Sequence, residues 1–235
     1  MSRHSQPPSF ARRSFLSRLG IGLAGGTALG AAGASSAQAQ TREAGRWQPV
    51  RHAADEWLDQ LPGQHRFVFD SITADGLTNA LLFINNYYTA NQSGYGLTDK
   101  DLAVVLVLRH RSTPFAYNNA IWAKHGVAIT QRTQYNDPST NQPPKTNLFA
   151  GTGGGGGQGG RNSLITLAER GVQFAVCQIS TRNYAATIAT ATGASADAVY
   201  TEIAGSLLGN ARLVPAGIVA VNRAQERGYS LVSVG

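Results

Sequence analysis

The chain has a single cysteine, Cys177, and its position favours a reactive thiol. It directly follows the apolar run at residues 172–176 and precedes a polar turn and a helical pattern. A cysteine at the carboxyl end of a strand, before a helix, lies near free backbone N–H groups and the positive end of the helix dipole, which favour the thiolate. A thiolate attacks sulfur, carries a persulfide or binds soft metals. The alternative is a small buried hydrophobic residue, the usual state of a free cysteine.

Three basic or protonatable residues, Arg109, His110 and Arg111, follow a second apolar run at residues 102–108. Because the carboxyl ends of parallel strands meet at one edge of a sheet, we expect these residues on the same edge as Cys177. There they would stabilise a thiolate or an anionic ligand, with Arg109 and His110 as the candidate supporting residues. The alternative is a solvated polar turn.

Other candidate residues are less specific. Asp70 ends a predicted strand and is either a cap or a site carboxylate, and His125 is typical of a helix end. The glycine run at residues 153–160 neither follows an apolar strand nor ends in Lys-Ser/Thr, so it does not predict a nucleotide site. No His/Cys metal cluster occurs, and we expect neither a metal nor a cofactor.

The elements that position these residues alternate between strands and helices. Apolar runs predict strands at residues 66–70, 102–108, 172–176 and 229–234, and the two runs at 213–215 and 217–221 predict a further strand with a short helix. Helical spacing predicts helices at residues 77–88, 115–125 (capped by Thr113), 163–170, 182–192 and 196–208. We therefore predict an α/β domain with about five strands in a mostly parallel sheet and helices on both faces.

Residues 1–39 are typical of a twin-arginine export signal. Arg-Arg-Ser-Phe-Leu at residues 12–16 precedes a Gly/Ala-rich apolar run at 19–33 and a small-residue cleavage site at 37–39. The apolar run is too short and glycine-rich to span a hydrocarbon core of about 30 Å, so we expect no stable membrane anchor after cleavage. The predicted destination is the periplasm, reached in folded form.

The remainder divides into a lead-in at residues 40–62, with a short helix at 53–60, and one domain at 63–235. A Gly/Pro-rich segment at about 136–162 interrupts the domain and predicts a mobile loop. The net charge of +7 falls to +3 without the four arginines of the signal. With no basic run after residue 40, we expect no nucleic-acid partner.

Three longer stretches resemble exported proteins of the DsrE/DsrF-like family. They are residues 108–118 (LRHRSTPFAYN, followed by Ile121-Trp122), 170–177 (RGVQFAVC) and 214–229 (VPAGIVAVNRAQERGY), and the resemblance extends over about 66–234. The resemblance implies a parallel α/β sheet of flavodoxin-like appearance and assembly into small homo-oligomers. In the sulfur-relay members of the family, a cysteine after the third strand accepts and hands on sulfur as a persulfide, and Cys177 falls on that position. Those relays are cytoplasmic, whereas this chain carries an export signal.

These observations lead to three hypotheses. The first is a periplasmic sulfur-handling protein with Cys177 as nucleophile and carrier, working with a sulfur donor or acceptor protein. The second is a non-enzymatic module that binds a small anion or a partner protein at the same sheet edge. The third is a structural subunit whose apolar faces serve oligomerisation.

Overall fold

The centre of the sheet is strand β2 (Leu102–Leu108), in which all seven side chains are apolar and buried. Successive side chains of a strand point to opposite faces, so this run requires an apolar layer on each side of the sheet. The computed structural model describes residues 48–151 and 162–235, and the predicted export signal at residues 1–39 lies outside them.

Five strands form an all-parallel sheet in the order β4-β3-β2-β1-β5 within the described residues. The other strands are β1 (His65–Ser71), β3 (Gln173–Cys177), β4 (Ala211–Val214) and β5 (Ser230–Val234). The α-helices are α1 (Ala74–Tyr95), α2 (Asn119–Thr133), α3 (Leu164–Glu169), α4 (Gln178–Thr192), α5 (Ala196–Ala204) and α6 (Gly217–Gln225). Short 3₁₀ helices occupy Ala53–Leu58, Asp99–Asp101 and His110–Ala116. The predicted α/β class, with helices on both faces of a parallel sheet, is confirmed.

The two faces of the sheet are covered unequally. Val104 and Leu106 of β2 pack in one core with helices α1 to α5. Val105 and Val107 face the opposite core, which is closed by α6 and the 3₁₀ helix Ala53–Leu58. None of the helices in the described ranges is long and apolar enough to cross a membrane.

Strand order explains this asymmetry. From β1 to β4 the chain moves across the sheet in one direction, and right-handed crossovers then place every connecting helix on one face. The last connection reverses direction to reach β5 beside β1, so α6 lies on the opposite face. As a result, the neighbouring strands β3 and β4 send their following helices to opposite faces. The carboxyl ends of such a strand pair border a crevice in open α/β sheets, and ligands bind there.

The domain begins earlier than predicted. The 3₁₀ helix Ala53–Leu58 confirms a helix in the lead-in, but its Trp57 and Leu58 are buried in the core around α6. The carbonyl of Leu58 also accepts hydrogen bonds from Tyr229 Oη (2.7 Å) and Arg66 Nη1 (2.8 Å). A domain boundary at residue 63 is therefore too late, because these residues complete the core.

Part of the predicted mobile loop is firmly packed. Phe149 is buried against Phe115, with ring centroids 4.5 Å apart. Asn147 Nδ2 donates to the carbonyls of Phe115 (2.6 Å) and Tyr117 (2.8 Å). The prediction of a mobile loop is wrong for this part of the segment, while residues 152–161 lie outside the described residues.

The helix predicted at residues 115–125 begins later. The chain first forms the 3₁₀ helix His110–Ala116, and α2 then starts at Asn119, where Asn118 Oδ1 accepts the N–H of Ile121 (3.2 Å). Asn118 is therefore the cap of this helix, in place of Thr113.

Candidate functional site

Two helices begin at the crevice between the carboxyl ends of β3 and β4. Cys177 and Val214 are paired at the ends of these strands. Helix α4 starts immediately after Cys177, and α6 starts three residues after Val214. Neither helix has an acidic residue in its first turn, so the positive ends of both dipoles are uncompensated by carboxylates there. The crevice is therefore suited to negative charge.

Cys177 itself caps α4. Its Sγ accepts the backbone N–H of Ser180 at 3.4 Å, and its carbonyl accepts Thr181 Oγ1 at 3.0 Å. The predicted position between strand and helix is confirmed, and the helix starts closer to the thiol than the predicted residue 182. The thiol is not open to solvent, because Cys177 is only 6% exposed, and this low exposure agrees with the alternative of a buried cysteine.

Arg109 lies at the carboxyl end of β2 and is held by Asp70. Its Nε and Nη2 donate to the two Asp70 oxygens at 2.7 and 2.8 Å, and Ser233 Oγ donates to the same carboxylate at 3.2 Å. The hydrogen bond with Asp70 raises the pKa of Arg109, and negative charge on Cys177 raises it further. Arg109 is therefore within electrostatic range of the thiol, but its guanidinium fork is already occupied. Asp70 is not the cap of α1, which is Thr73, and its carboxylate orients Arg109.

Gly217, the first residue of α6, allows this helix to start against Arg109. A Cβ at this position would lie 2.6 Å from Arg109 Cβ and 3.2 Å from Val107 Cγ1. Only a residue without a side chain fits this close approach. Gly217 thus allows the first turn of α6 to lie in direct contact with the Arg109 side chain at the crevice.

The backbone of His110, just after β2, is connected to the Cys177 thiol by hydrogen bonds through Ser180. Its N–H donates to Ser180 Oγ at 3.1 Å, and Ser180 in turn donates its own N–H to Cys177 Sγ. His110 adopts a left-handed backbone conformation (φ 56°), which is strained for a residue other than glycine and is found preferentially at functional sites. Its side chain is exposed. The structure therefore brings Cys177, Arg109 and His110 to one edge of the sheet.

His125 belongs to a different contact. It is buried in α2 and its Nε2 lies 3.4 Å from Glu202 Oε2, so it pairs with helix α5. Within residues 48–151 and 162–235, no group of three His, Cys, Asp or Glu side chains is arranged to hold a metal ion.

The fold and site together define a parallel α/β protein whose one cysteine caps a helix at the crevice of the sheet. No family model and no curated protein matches the chain. Among solved structures, a protein of unknown function from Methanobacterium thermoautotrophicum is similar, at 15% sequence identity and a TM-score of 0.37. The match covers 72% of this chain and 99% of that one.

Proposed function

We propose that this protein is an exported, DsrE-like sulfur carrier that takes up sulfur as a persulfide on Cys177. The observation that carries the proposal is the contact between Cys177 Sγ and the N–H of Ser180 at the first turn of α4. A thiolate and a persulfide are both anionic sulfur species, and a helix start stabilises either one. The position of Cys177 at the crevice between β3 and β4 adds a topological reason to expect a site there.

The proposed step is a thiol–persulfide exchange. The Cys177 thiolate attacks the outer sulfur of a donor persulfide, and a new S–S bond forms at Sγ. The S–S bond of the donor breaks, and its electron pair leaves with the donor thiolate, which takes up a proton from solvent if it is basic enough. The reverse reaction hands the sulfur to an acceptor thiolate. No external oxidant or reductant is required, because one persulfide replaces another.

Arg109 and His110 support this step in different ways. The guanidinium of Arg109 is fixed by Asp70 and contributes oriented positive charge without being free to bind a ligand. The backbone of His110 holds the Ser180 hydroxyl. Arg109 therefore acts on the thiol through its charge, and His110 is a positioning residue for the start of α4.

Incubation with a small persulfide donor is expected to add one sulfur atom to the protein, as measured by intact mass spectrometry. The Cys177→Ser variant serves as the matched control, because it keeps a small polar side chain at the cap and removes the nucleophile. We expect no added sulfur in this variant. Equal addition to both proteins, or none to the folded wild type, would contradict the proposal.

Thiol labelling of the same two proteins separates a reactive cysteine from a core cysteine. Since Cys177 is 6% exposed, modification of the folded protein relative to a free thiol is expected to be slowed less for iodoacetamide than for a bulky maleimide. Modification that requires denaturant with both reagents would identify Cys177 as a core residue and remove the basis of the sulfur proposal.

We further propose that the protein acts in the periplasm as a small homo-oligomer and exchanges sulfur with a partner protein. The export motif at residues 12–16 supports the location. Ile179 and Ile218, both 58% exposed, lie in the first turns of α4 and α6 and offer apolar contact surface near the thiol. Multi-angle light scattering is expected to give a mass of at least two chains, and a monomer at micromolar concentration would contradict the oligomer.

A further inference from the structure

A cationic cleft opens beside the site just described. It has a volume of about 210 Å³ and is lined by His110, Arg111 and Arg132. His110 and Arg111 come from the 3₁₀ helix that follows β2, whereas Arg132 comes from the last turn of α2. Two elements distant in sequence thus bring three basic or protonatable side chains together.

The charges of this cleft have no counter-ion in the described ranges. Six other arginines there pair with a carboxylate. Arg111 and Arg132 have no such partner within 4 Å, although both are partly buried. Partly buried like charges repel and lose hydration, so proteins normally pair them. The missing partner points to an anion supplied from solution.

A buried hydroxyl beside the cleft is also unpaired. Tyr184 of α4 is fully buried, and its Oη has no hydrogen-bond partner in the part of the chain that the structure describes. The guanidinium carbon of Arg132 lies 5.3 Å from the centre of its ring. Burial raises the pKa of Tyr184, while the charges of Arg132 and Arg111 act in the opposite direction, so the hydroxyl is within electrostatic range of both. An unsatisfied buried donor next to two unpaired guanidinium groups is a second indication of a missing ligand.

We propose that the cleft of His110, Arg111 and Arg132 binds a small tetrahedral oxyanion of the phosphate or sulfate class. The two arginines of the cleft match a dianion better than a monovalent carboxylate. Guanidinium forks suit the paired oxygens of such anions. The volume admits a small ion with a few waters and is below that of drug-sized ligand pockets.

The cleft is connected to the thiol by two hydrogen bonds. The N–H of His110 binds Ser180 Oγ, and the N–H of Ser180 binds Cys177 Sγ. An anion at His110 therefore lies next to the residue that holds the start of α4. Anion binding is inferred from the residues that line the cleft, and it does not require that Cys177 carries sulfur.

The test is calorimetric titration of the full chain with inorganic phosphate and with sulfate at low ionic strength. Methyl phosphate and methanesulfonate are titrated in parallel, because binding of these would indicate an anionic end group of a larger molecule as the natural ligand. The Arg111→Gln/Arg132→Gln variant is expected to raise the dissociation constant for the preferred anion at least tenfold. Arg111→Lys/Arg132→Lys, which keeps the charges and loses the forks, is expected to bind with intermediate affinity.

The charge-matched control is Lys100→Gln/Lys145→Gln, which removes two exposed cations that do not line the cleft. It should bind the anion as the wild type does, and so should Cys177→Ser. Circular dichroism and thermal melting verify that each variant is folded. Absence of saturable binding to the wild type, or equal weakening in the lysine control, would overturn the inference. Loss of binding in Cys177→Ser alone would overturn its independence from the thiol.

Discussion

Replacing Arg109 with methionine is expected to lower the free energy of unfolding by about 3 kcal/mol, since the substitution leaves a buried carboxylate without its cation. The Asp70 side chain is 4% exposed, and only the weaker contact with Ser233 Oγ would remain. Arg109 is itself 27% exposed, so the lower end of the range for buried ion pairs applies. Denaturation by urea, followed by circular dichroism, measures the change.

The double variant Arg109→Met/Asp70→Leu distinguishes a lost ion pair from lost packing. If the cost arises from the unpaired carboxylate, removing Asp70 as well should restore most of the stability. The difference between the double variant and the sum of the two single variants is the coupling free energy of the pair. A single variant that loses less than about 0.5 kcal/mol, the range of ordinary surface substitutions, would show that Asp70 does not depend on Arg109.

Gly126→Ala is expected to destabilise the protein by about 2 kcal/mol, although alanine is the better helix former by about 1 kcal/mol. Gly126 lies in the interior of α2, where a Cβ would stand only 2.1 Å from the carbonyl oxygen of Pro144. That atom belongs to the backbone of the packed segment before Asn147, so the helix or the segment must move. Thermal and urea denaturation of the variant measure the cost.

Gly94→Ala is the matched control, because Gly94 lies near the end of α1 and a Cβ added there would have no atom within 4 Å. There the gain in helix propensity is not opposed by a clash, and stability should rise by up to about 1 kcal/mol. A stabilising effect at both glycines would contradict the close approach of Pro144 to α2.

The fold class could be predicted because its main signals are local. The apolar run at residues 102–108 predicts a fully buried strand, and the helical spacing after β1 predicts α1. The start of α2 could not be placed from the sequence, because Thr113 followed by Pro114 is as good a helix start as Asn118 when only neighbouring residues are considered. The preceding 3₁₀ helix and the Asn118 cap arise from packing against distant residues such as Asn147, whose side chain holds the carbonyls of Phe115 and Tyr117.

The site was only partly predictable, because several of its features depend on packing between residues distant in sequence. Cys177 could be placed between a strand and a helix from its neighbours in sequence. Ser180 follows three residues later, which is the spacing at which the side chain of a helix cap accepts a backbone N–H. Its low exposure depends on how the surrounding elements pack. The crevice between β3 and β4 follows from strand order, which local patterns do not encode. Arg132 has no sequence signal at all, since it reaches the cleft only through the packing of α2 against α4.

The pairing of β5 with β1 brings the two ends of the domain together, with register partners from Phe67 and Ser230 to Ser71 and Val234. The carbonyl of Val234 also approaches Gly76 at the start of α1 so closely that no side chain would fit. A ribosome therefore delivers β5, the partner of β1, after the other four strands. Until β5 emerges, β1 has an unpaired border that can recruit a strand from another nascent chain. A chain truncated before β5 would thus expose this border of β1, and would favour aggregation over a shortened but functional protein.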